Sequence, residues 1–331
     1  MSGAPDLSAV LFTVDTLEPL LPLLRALTQQ TAASRMEVVL VSPAGEGLEV
    51  RPDLLAPFHS WTRVTCAPPP VHGGGARARG ARAAAAPVVA FCEDHSFPEP
   101  GWAEALIQRH QEGWVAVAPE IVCGNADHPG SWAMLSMTFG PYVDPVEAGE
   151  TNALPWHNTS YKKEALLAQG ESLDLLLEAE GILQERLRAR GGRLFLERAA
   201  RTRHANVSRL SSFSPDCYWG GRLYGAVRSA DWRWFRRLFY AAASPAIWLK
   251  RAHGSLRHAF RIEGGGRVPG RYIPVIVACE AVAAMGEAVS YVTGMGRAAE
   301  RKGEMEVHRY RHMASNDPAR VTLFSMPPGA D

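Results

Sequence analysis

Cysteine is scarce in this sequence and shows no pairing. The 331 residues contain five cysteines, scattered along the chain, with no Cys-x-x-Cys pair. An odd, dispersed set argues against a disulfide framework, and the lack of paired thiolates argues against a zinc site built from cysteine. No charged and then apolar secretory leader opens the sequence either. We therefore expect a protein of the reducing cytoplasm.

Uninterrupted apolar runs are also missing. The longest apolar region, from Tyr272 to Gly294, is interrupted by Glu280 and Glu287. A membrane span needs about 20 predominantly apolar residues, so we predict that this region falls short of a transmembrane helix. We expect it to pack against the rest of the protein or, in a homodimer, against a second subunit.

Acidic residues are rare in one quarter of the chain. Residues 185–271 contain 19 Lys and Arg against five Asp and Glu, whereas residues 1–184 contain 10 against 22. A basic block on an acidic body indicates an anionic partner, such as a phosphate-bearing ligand or a lipid surface. A solvated face, or pairing with the acidic half of the chain, is the alternative.

Aromatic residues stand among the cations of that block. Trp232, Trp234 and Phe239 are interspersed with Arg233 and Arg236, a mixture typical of a helix that lies at a lipid headgroup layer. Packing is the first interpretation of this region, and peripheral contact with the inner face of a membrane is the second. The same basic region could bind nucleic acid, but no other feature of the sequence favours that partner.

Strand and helix patterns alternate in the first part of the chain. Apolar strands at Leu7–Asp15 and Met36–Pro43 enclose a segment with leucines at helical spacing, and further strands and helices follow. The alternation predicts an α/β fold with a mixed, mainly parallel sheet flanked by helices.

The pattern changes along the chain and predicts three regions. We expect an α/β domain over residues 1–214, a helical extension over 215–314 and a loose tail over 315–331. Glycine and proline are frequent between Cys123 and Pro155, so we expect loop-rich structure there.

Three polar side chains follow the buried strand pattern Val88–Phe91. They are Glu93, Asp94 and His95, each of which can hold a metal ion or accept a proton. In parallel sheets, ligands bind beyond the carboxyl ends of the strands. The triplet is therefore the first candidate for a functional site.

An ordered series of motifs resembles the family 2 glycosyltransferases, which have the GT-A nucleotide-sugar fold. After the first strands comes Arg79-Gly80, where the family has Arg-Asn, and then the triplet followed by "PEPGW". The later pieces are "HNTSYKKEALL" and "AEGILQERLRARGGRLFLERAARTRH". The resemblance covers Leu7 to Asn206 and rests on the order of the pieces.

This resemblance implies an inverting transfer of a sugar from a nucleotide-diphosphate donor to a hydroxyl acceptor. Glu93-Asp94-His95 stands where the family has Asp-x-Asp, so Glu93 and Asp94 would contact the donor. Asp94, His95 and His204 would hold a divalent metal, Mn or Mg. The imidazole of His95 would favour Mn or a later metal, or would remove metal dependence altogether.

Other family positions carry substitutions. Glu180 aligns with the Glu of the family's Glu-Asp pair, but Gly181 replaces the Asp that usually acts as base, so Glu180 or Glu178 would deprotonate the acceptor. The Asp that reads the nucleotide base after the second strand is missing, and the sequence offers Ser42 and Glu46 instead.

The remaining predicted contacts fall into two groups. Asp15, Arg77 and Arg79 would bind the donor, the arginines through charge-assisted hydrogen bonds to the diphosphate. Trp156, His157 and Asn158 would form the acceptor side, together with Trp132. If the chain meets a membrane, a lipid-linked acceptor becomes attractive.

Two other functions stay open at this point. The altered triplet, the missing base-reading Asp and Gly181 are also expected of a GT-A scaffold that has lost catalysis and serves as a binding or assembly protein. A metal-dependent hydrolase or nucleotidyltransferase on a related sheet is the other alternative.

Overall fold

The computed structural model describes residues 3–43, 52–66, 73–262 and 268–324. The chain divides into two compact units. The first unit contains Met1–Val122 and Val146–His204, and the second contains Cys123–Pro145 and Ala205–Asp331. The observed division thus lies before the predicted boundary at 214, and it assigns the segment Cys123–Pro145 to the same unit as the C-terminal helices.

The strands and helices of the described residues have the following bounds. The strands are β1 Leu7–Phe12, β2 Met36–Pro43, β3 Ser60–Cys66, β4 Val88–Phe91, β5 Ser96–Pro98, β6 Ala116–Cys123, β7 Gly149–Thr151, β8 Ser160–Lys162 and β9 Leu194–His204. The helices are α1 Leu21–Thr28, α2 Pro52–Leu55, α3 Gly73–Ala83, α4 Trp102–His110, α5 Pro129–Thr138, α6 Lys163–Leu167, α7 Leu173–Leu176, α8 Glu180–Ala189, α9 Leu210–Arg228, α10 Trp234–Ala242, α11 Ser244–Arg261, α12 Ile273–Thr293, α13 Ala298–Glu306 and α14 Ala319–Thr322.

One mixed sheet organises the first unit. Its order is β3-β2-β1-β4-β8-β6-β9-β5, and β7 pairs with β9. The pairs among β3, β2, β1 and β4 are parallel, while β8 runs antiparallel to both β4 and β6. The predicted α/β fold with a mixed sheet and helices is confirmed.

Apolar side chains from two helices cover one face of this sheet. Leu24 of α1 and Leu106 of α4 belong to one buried cluster with Leu7 and Leu40 of the strands. All eight residues of β2 are buried, as expected for an inner strand with neighbours on both sides. This packing fixes where β1 and β4 end, and therefore where the residues after them lie.

The segment expected to be loop-rich contains a helix. Helix α5 starts with Pro129 in its first turn, and the Nδ1 of His128 accepts a hydrogen bond of 3.2 Å from the Gly130 N–H. Proline is well placed in the first turn of a helix, so the prediction of loops between Cys123 and Pro155 was wrong for this part.

Helices α9 and α12 form the centre of the second unit and cross at glycines. A Cβ atom on Gly221 would lie 2.1 Å from the backbone oxygen of Ala283, and one on Gly286 would lie 2.2 Å from that of Tyr218. Any side chain at these positions would push the two helices apart. The close approach therefore depends on glycine in both helices.

Helix α12 carries the apolar region that includes Glu280 and Glu287. Residues Gly270–Thr293 are long and apolar enough to cross a membrane by length and composition, contrary to our expectation, and 44% of that window is buried. Both glutamates are buried and form ion pairs with arginines: Arg251 lies 2.9 Å from Glu280, and Arg228 lies 3.3 Å from Glu287. These pairs tie α12 to α11 and α9.

The first part of the predicted loose tail is anchored. Asp317 is buried and accepts hydrogen bonds of 2.6 Å from the Ser208 hydroxyl and 2.8 Å from the Asn125 amide. A tail that is held by polar contacts shows no apolar pattern in the sequence. For this reason the sequence did not predict that the tail is anchored. Residues 325–331 lie outside the described part of the chain.

Candidate functional site

Glu93 is the centre of a buried polar cluster just beyond the carboxyl end of β4. Its side chain is 5% exposed. The Asn158 amide donates a 2.8 Å hydrogen bond to Oε2, and Nδ1 of His157 lies 3.2 Å from Oε1. The Nε2 of His204 lies 3.4 Å from Oε2. The structure thus brings together four of the predicted site residues.

Sheet topology explains why residues so distant in sequence meet. Strand β8 is antiparallel to β4 and pairs Ser160 with Ala90, so the residues before Ser160 flank the residues after β4. Strand β9 is antiparallel to β5 and pairs His204 with Ser96. His157, Asn158 and His204 are therefore placed at the carboxyl end of β4 by the antiparallel strands β8 and β9.

His95 completes the cluster and is oriented by its neighbour. Its Nδ1 lies 2.6 Å from Oδ1 of Asp94, and its Nε2 lies 3.7 Å from Oε1 of Glu93. Its ring meets that of His204 edge to face, with centroids 4.8 Å apart. An imidazole held by a carboxylate on one nitrogen and presented with the other is a common arrangement of metal-binding histidine.

Three groups that could share a cation are Glu93, His95 and His204. All three are buried, and one ligand atom from each lies within 4.8 Å of the others. The sequence prediction gave Asp94, His95 and His204. In the structure Asp94 stands behind His95, and Glu93 supplies the carboxylate oxygen.

The electrostatics of the cluster favour a cation. Burial acts to raise the pKa of Glu93, but the charge of His95 and the hydrogen bonds from His157 and His204 outweigh it, so that pKa is well below its ordinary value. Glu93 is therefore an anion beside three imidazoles, those of His95, His157 and His204. One carboxylate oxygen with two nitrogen ligands suits Mn or a later divalent metal better than Mg, which prefers oxygen.

Glu180, the predicted base, lies at the first residue of α8 and is fully buried. Its Oε1 accepts a 2.8 Å hydrogen bond from the backbone N–H of His157, and its Oε2 accepts one of 2.7 Å from the Tyr161 hydroxyl. Burial raises the pKa of Glu180, against the opposing charges of His157 and Arg77. The carboxylate thus fixes the backbone of His157, whose φ is 64°.

A tryptophan fills the space at Gly181. A Cβ atom on Gly181 would lie 3.1 Å from Cζ2 and 3.2 Å from Nε1 of Trp156. These contacts are tighter than ordinary van der Waals distances. The indole of Trp156, predicted on the acceptor side, therefore stands where the side chain of the family's Asp would begin.

Glu178, the second candidate base, is buried and has a different contact. Its carboxylate accepts a short hydrogen bond from the backbone N–H of Gly74, in the first turn of α3. A carboxylate at a helix N-terminus is favourable because backbone N–H groups there lack partners within the helix. This contact connects the segment before α8 to the start of α3.

The predicted donor contacts lie in three different environments. Arg77 is buried in α3, with its guanidinium carbon 5.3 Å from the centre of the Phe12 ring. Arg79, two residues further along α3, is half-buried, and Asp15 is exposed after β1, where it accepts a 2.6 Å hydrogen bond from the Thr16 N–H. Glu46 lies outside the described residues.

Sequence reasoning missed one residue of the site, and one predicted residue belongs to the other unit. Tyr161 was not singled out, although its hydroxyl is bonded to Glu180 and it follows the Asn158 motif by three residues. Trp132, expected on the acceptor side, belongs to α5 in the second unit, where its Nε1 donates 2.8 Å to the Ala126 carbonyl.

Comparison with known proteins finds one family that is similar to part of the chain. Residues 52–168 match the family model described as Glycosyl transferase family 2, about a third of the chain. The crystal structure of S. aureus TarS 1-349 in complex with UDP is similar at 15% identity, with a TM-score of 0.47, and the alignment covers 87% of this chain and 92% of that chain. No curated protein matches.

The matched segment includes Glu93, Asp94, His95, His157 and Asn158. It confirms the resemblance to family 2 over these residues, and the mixed sheet flanked by helices agrees with the predicted α/β fold. Residues 52–168 of the chain are thus similar to the family 2 glycosyltransferases. The function of the variant Glu-Asp-His triplet stays a prediction.

Proposed function

We propose that this protein is an inverting glycosyltransferase that takes a sugar from a nucleotide-diphosphate donor and passes it to a hydroxyl acceptor with the help of a divalent metal. One observation carries the proposal: Glu93, His95 and His204 converge at the carboxyl end of β4, and two of them lie within the family match. Carboxyl ends of strands are where α/β sheets bind ligands.

The residues have separate roles in this proposal. Glu93, His95 and His204 hold the cation, with Asp94 orienting His95. Bound there, the cation would neutralise charge on the departing diphosphate. Arg77 and Arg79 would contribute positive charge to donor binding.

The geometry favours a positioning role for Glu180 over the role of base. Both of its oxygens already accept hydrogen bonds from His157 and Tyr161, and the side chain is fully buried. Through His157 it controls a side chain that contacts Glu93. We therefore place Glu180 behind the site, as the residue that sets the backbone next to the cation ligands.

A thermal-shift experiment tests metal and donor binding. The full chain is heated with uridine, guanosine and thymidine diphosphates, each with and without Mn²⁺. A ligand at about 100 times its Kd stabilises a protein by about 2.7 kcal/mol, so we expect a rise of several degrees for one nucleotide, and only with Mn²⁺. His204→Ala should abolish the Mn²⁺-dependent rise, while the exposed His253→Ala should keep it.

Two results would contradict the proposal. One is a lack of stabilisation by any nucleotide and Mn²⁺, and the other is an equal rise in His204→Ala and in the unsubstituted protein. Release of free sugar from a nucleotide sugar without an acceptor would indicate a hydrolase instead.

A scaffold without catalytic activity is the second candidate function, and one observation favours it. Trp156 occupies the space of an Asp side chain at Gly181, so this family position offers no base. A scaffold would still bind nucleotide and Mn²⁺ but would transfer no sugar to any acceptor in a panel of sugars, lipids and peptides. Transfer to one of them excludes it.

A further inference from the structure

Helix α10 turns its apolar side outward. Trp234 is 72% exposed and Phe239 is 68% exposed, while Phe235 and Leu238 are each half exposed. With 3.6 residues per turn, these four positions share one face of the helix. No residue of α10 is buried, so the described residues leave most of the apolar face of this helix open to solvent.

The cationic side of the same helix contacts the protein. The guanidinium of Arg237 donates hydrogen bonds to the carbonyls of Ser229 at 2.8 Å and Ala230 at 3.1 Å, beyond the end of α9. The guanidinium carbon of Arg236 lies 4.1 Å from the centre of the Trp232 ring. A surface helix ordinarily turns its apolar side to the core, and here the arrangement is reversed.

The next helix adds apolar and cationic residues. Phe260 of α11 is 74% exposed and Leu249 is also exposed. Between Trp232 and Ile262 the sequence contains seven Lys and Arg and no Asp or Glu. The region therefore combines exposed aromatic side chains with a local excess of positive charge, although Arg251 is paired with Glu280 of α12.

We propose that α10, with the cations around it, docks on the surface of an anionic lipid bilayer. Aromatic and leucine side chains insert at the level of the headgroups, and lysine and arginine attract anionic lipid. The nine residues of α10 are far fewer than the about 20 that a span needs, so the contact is peripheral. This inference goes beyond the proposed function and does not rest on it.

Exposed Trp234 and Phe239 are suited to a direct test. The full chain is floated with vesicles of phosphatidylcholine alone and of phosphatidylcholine mixed with phosphatidylglycerol. We expect binding to the mixed vesicles only, weaker at high salt because ions screen the charges. The double variant Trp234→Ser/Phe239→Ser should partition at least about tenfold less, since each aromatic side chain contributes apolar burial.

A matched control comes from the first unit. Trp61 in β3 is 48% exposed, and Trp61→Ser should bind vesicles like the unsubstituted chain. Lys250→Gln/Arg257→Gln should reduce the dependence on phosphatidylglycerol. Because all of these side chains are exposed, each variant should fold. Circular dichroism and the melting temperature test whether it does.

Three outcomes would overturn the proposal. The first is no binding to the mixed vesicles, and the second is undiminished binding by folded Trp234→Ser/Phe239→Ser. The third comes from light scattering: if the chain is a dimer that this double variant dissociates, a second copy covers α10 and the membrane does not.

Discussion

At the scale of single residues, the site depends on side chains that position other side chains. Asp94 orients His95, and Glu180 holds the backbone of His157 in a left-handed conformation. A non-glycine residue in that conformation is uncommon and must be stabilised by its surroundings. The side chain of His95 and the backbone of His157 are thus held in place by buried hydrogen bonds.

Paired substitutions of Glu180 separate its charge from its contacts. Glu180→Gln keeps an oxygen for the His157 N–H and a polar group beside Tyr161, so we expect the free energy of unfolding to change by less than about 1 kcal/mol. Glu180→Ala leaves the His157 N–H and the Tyr161 hydroxyl buried without an acceptor. It should lower the free energy of unfolding by about 2 to 4 kcal/mol. Urea denaturation measures both values.

The same two substitutions, Glu180→Gln and Glu180→Ala, distinguish between a positioning residue and a base in sugar transfer. As a positioning residue, Glu180 should be replaceable by Gln with most of the transfer rate retained, whereas Ala should lower it strongly. Loss of transfer in Glu180→Gln with unchanged nucleotide binding would instead make Glu180 the base.

The sequence predicted the position of a site residue where that residue comes directly after a recognisable strand. The place of Glu93, Asp94 and His95 follows from the end of β4. The contacts of His157 with Glu93 and Glu180 do not, because they depend on β8, a strand of only three residues. So short a strand carries no recognisable alternation of apolar and polar residues.

At the scale of elements, close approach explains two departures from the family pattern. A Cβ atom on Gly80, where the family has Asn, would lie 2.3 Å from Cγ1 of Val10, so α3 packs against β1 without room for a side chain. At Gly181, Trp156 fills the space of the family's Asp. Neither departure could be explained from one sequence, because each depends on a partner distant along the chain.

Two adjacent glycines of α9 test the helix crossing of the second unit. Gly221→Ala would place a Cβ against the backbone of Ala283 and should lower the free energy of unfolding by about 1 to 3 kcal/mol or more. In Gly220→Ala the added Cβ atom would contact only Cε of Lys302, at 3.9 Å. This substitution should raise the free energy of unfolding by about 0.5 to 1 kcal/mol, because alanine has the higher helix propensity. Thermal denaturation compares the two, and equal effects would contradict the role given to Gly221.

At the scale of the whole molecule, sequence order and compact units do not coincide. The first unit is interrupted by Cys123–Pro145, which belongs to the second. Within that second unit, Ala133 and Met134 of α5 are buried in one cluster with Phe213 and Ile276. The sequence could not reveal this, because composition and spacing show that a segment is apolar but not which distant segment covers it.

A chain truncated after His204 should therefore expose apolar surface and aggregate, even though it contains the whole first unit. Helix α5 would lose its partners, and we expect a truncated chain of residues 1–204 to bind a hydrophobic dye and to aggregate. Dye fluorescence and light scattering measure this. A soluble, monomeric truncated chain without dye binding would contradict the division described above.

The interruption also has a consequence for synthesis. A ribosome delivers α5 long before Ile276 of α12, so the nascent chain exposes an apolar helix throughout the production of more than a hundred further residues. The first unit can close its sheet during that interval, but the second must wait until α12 has been synthesised. Dependence on chaperones should accordingly be concentrated in the second unit.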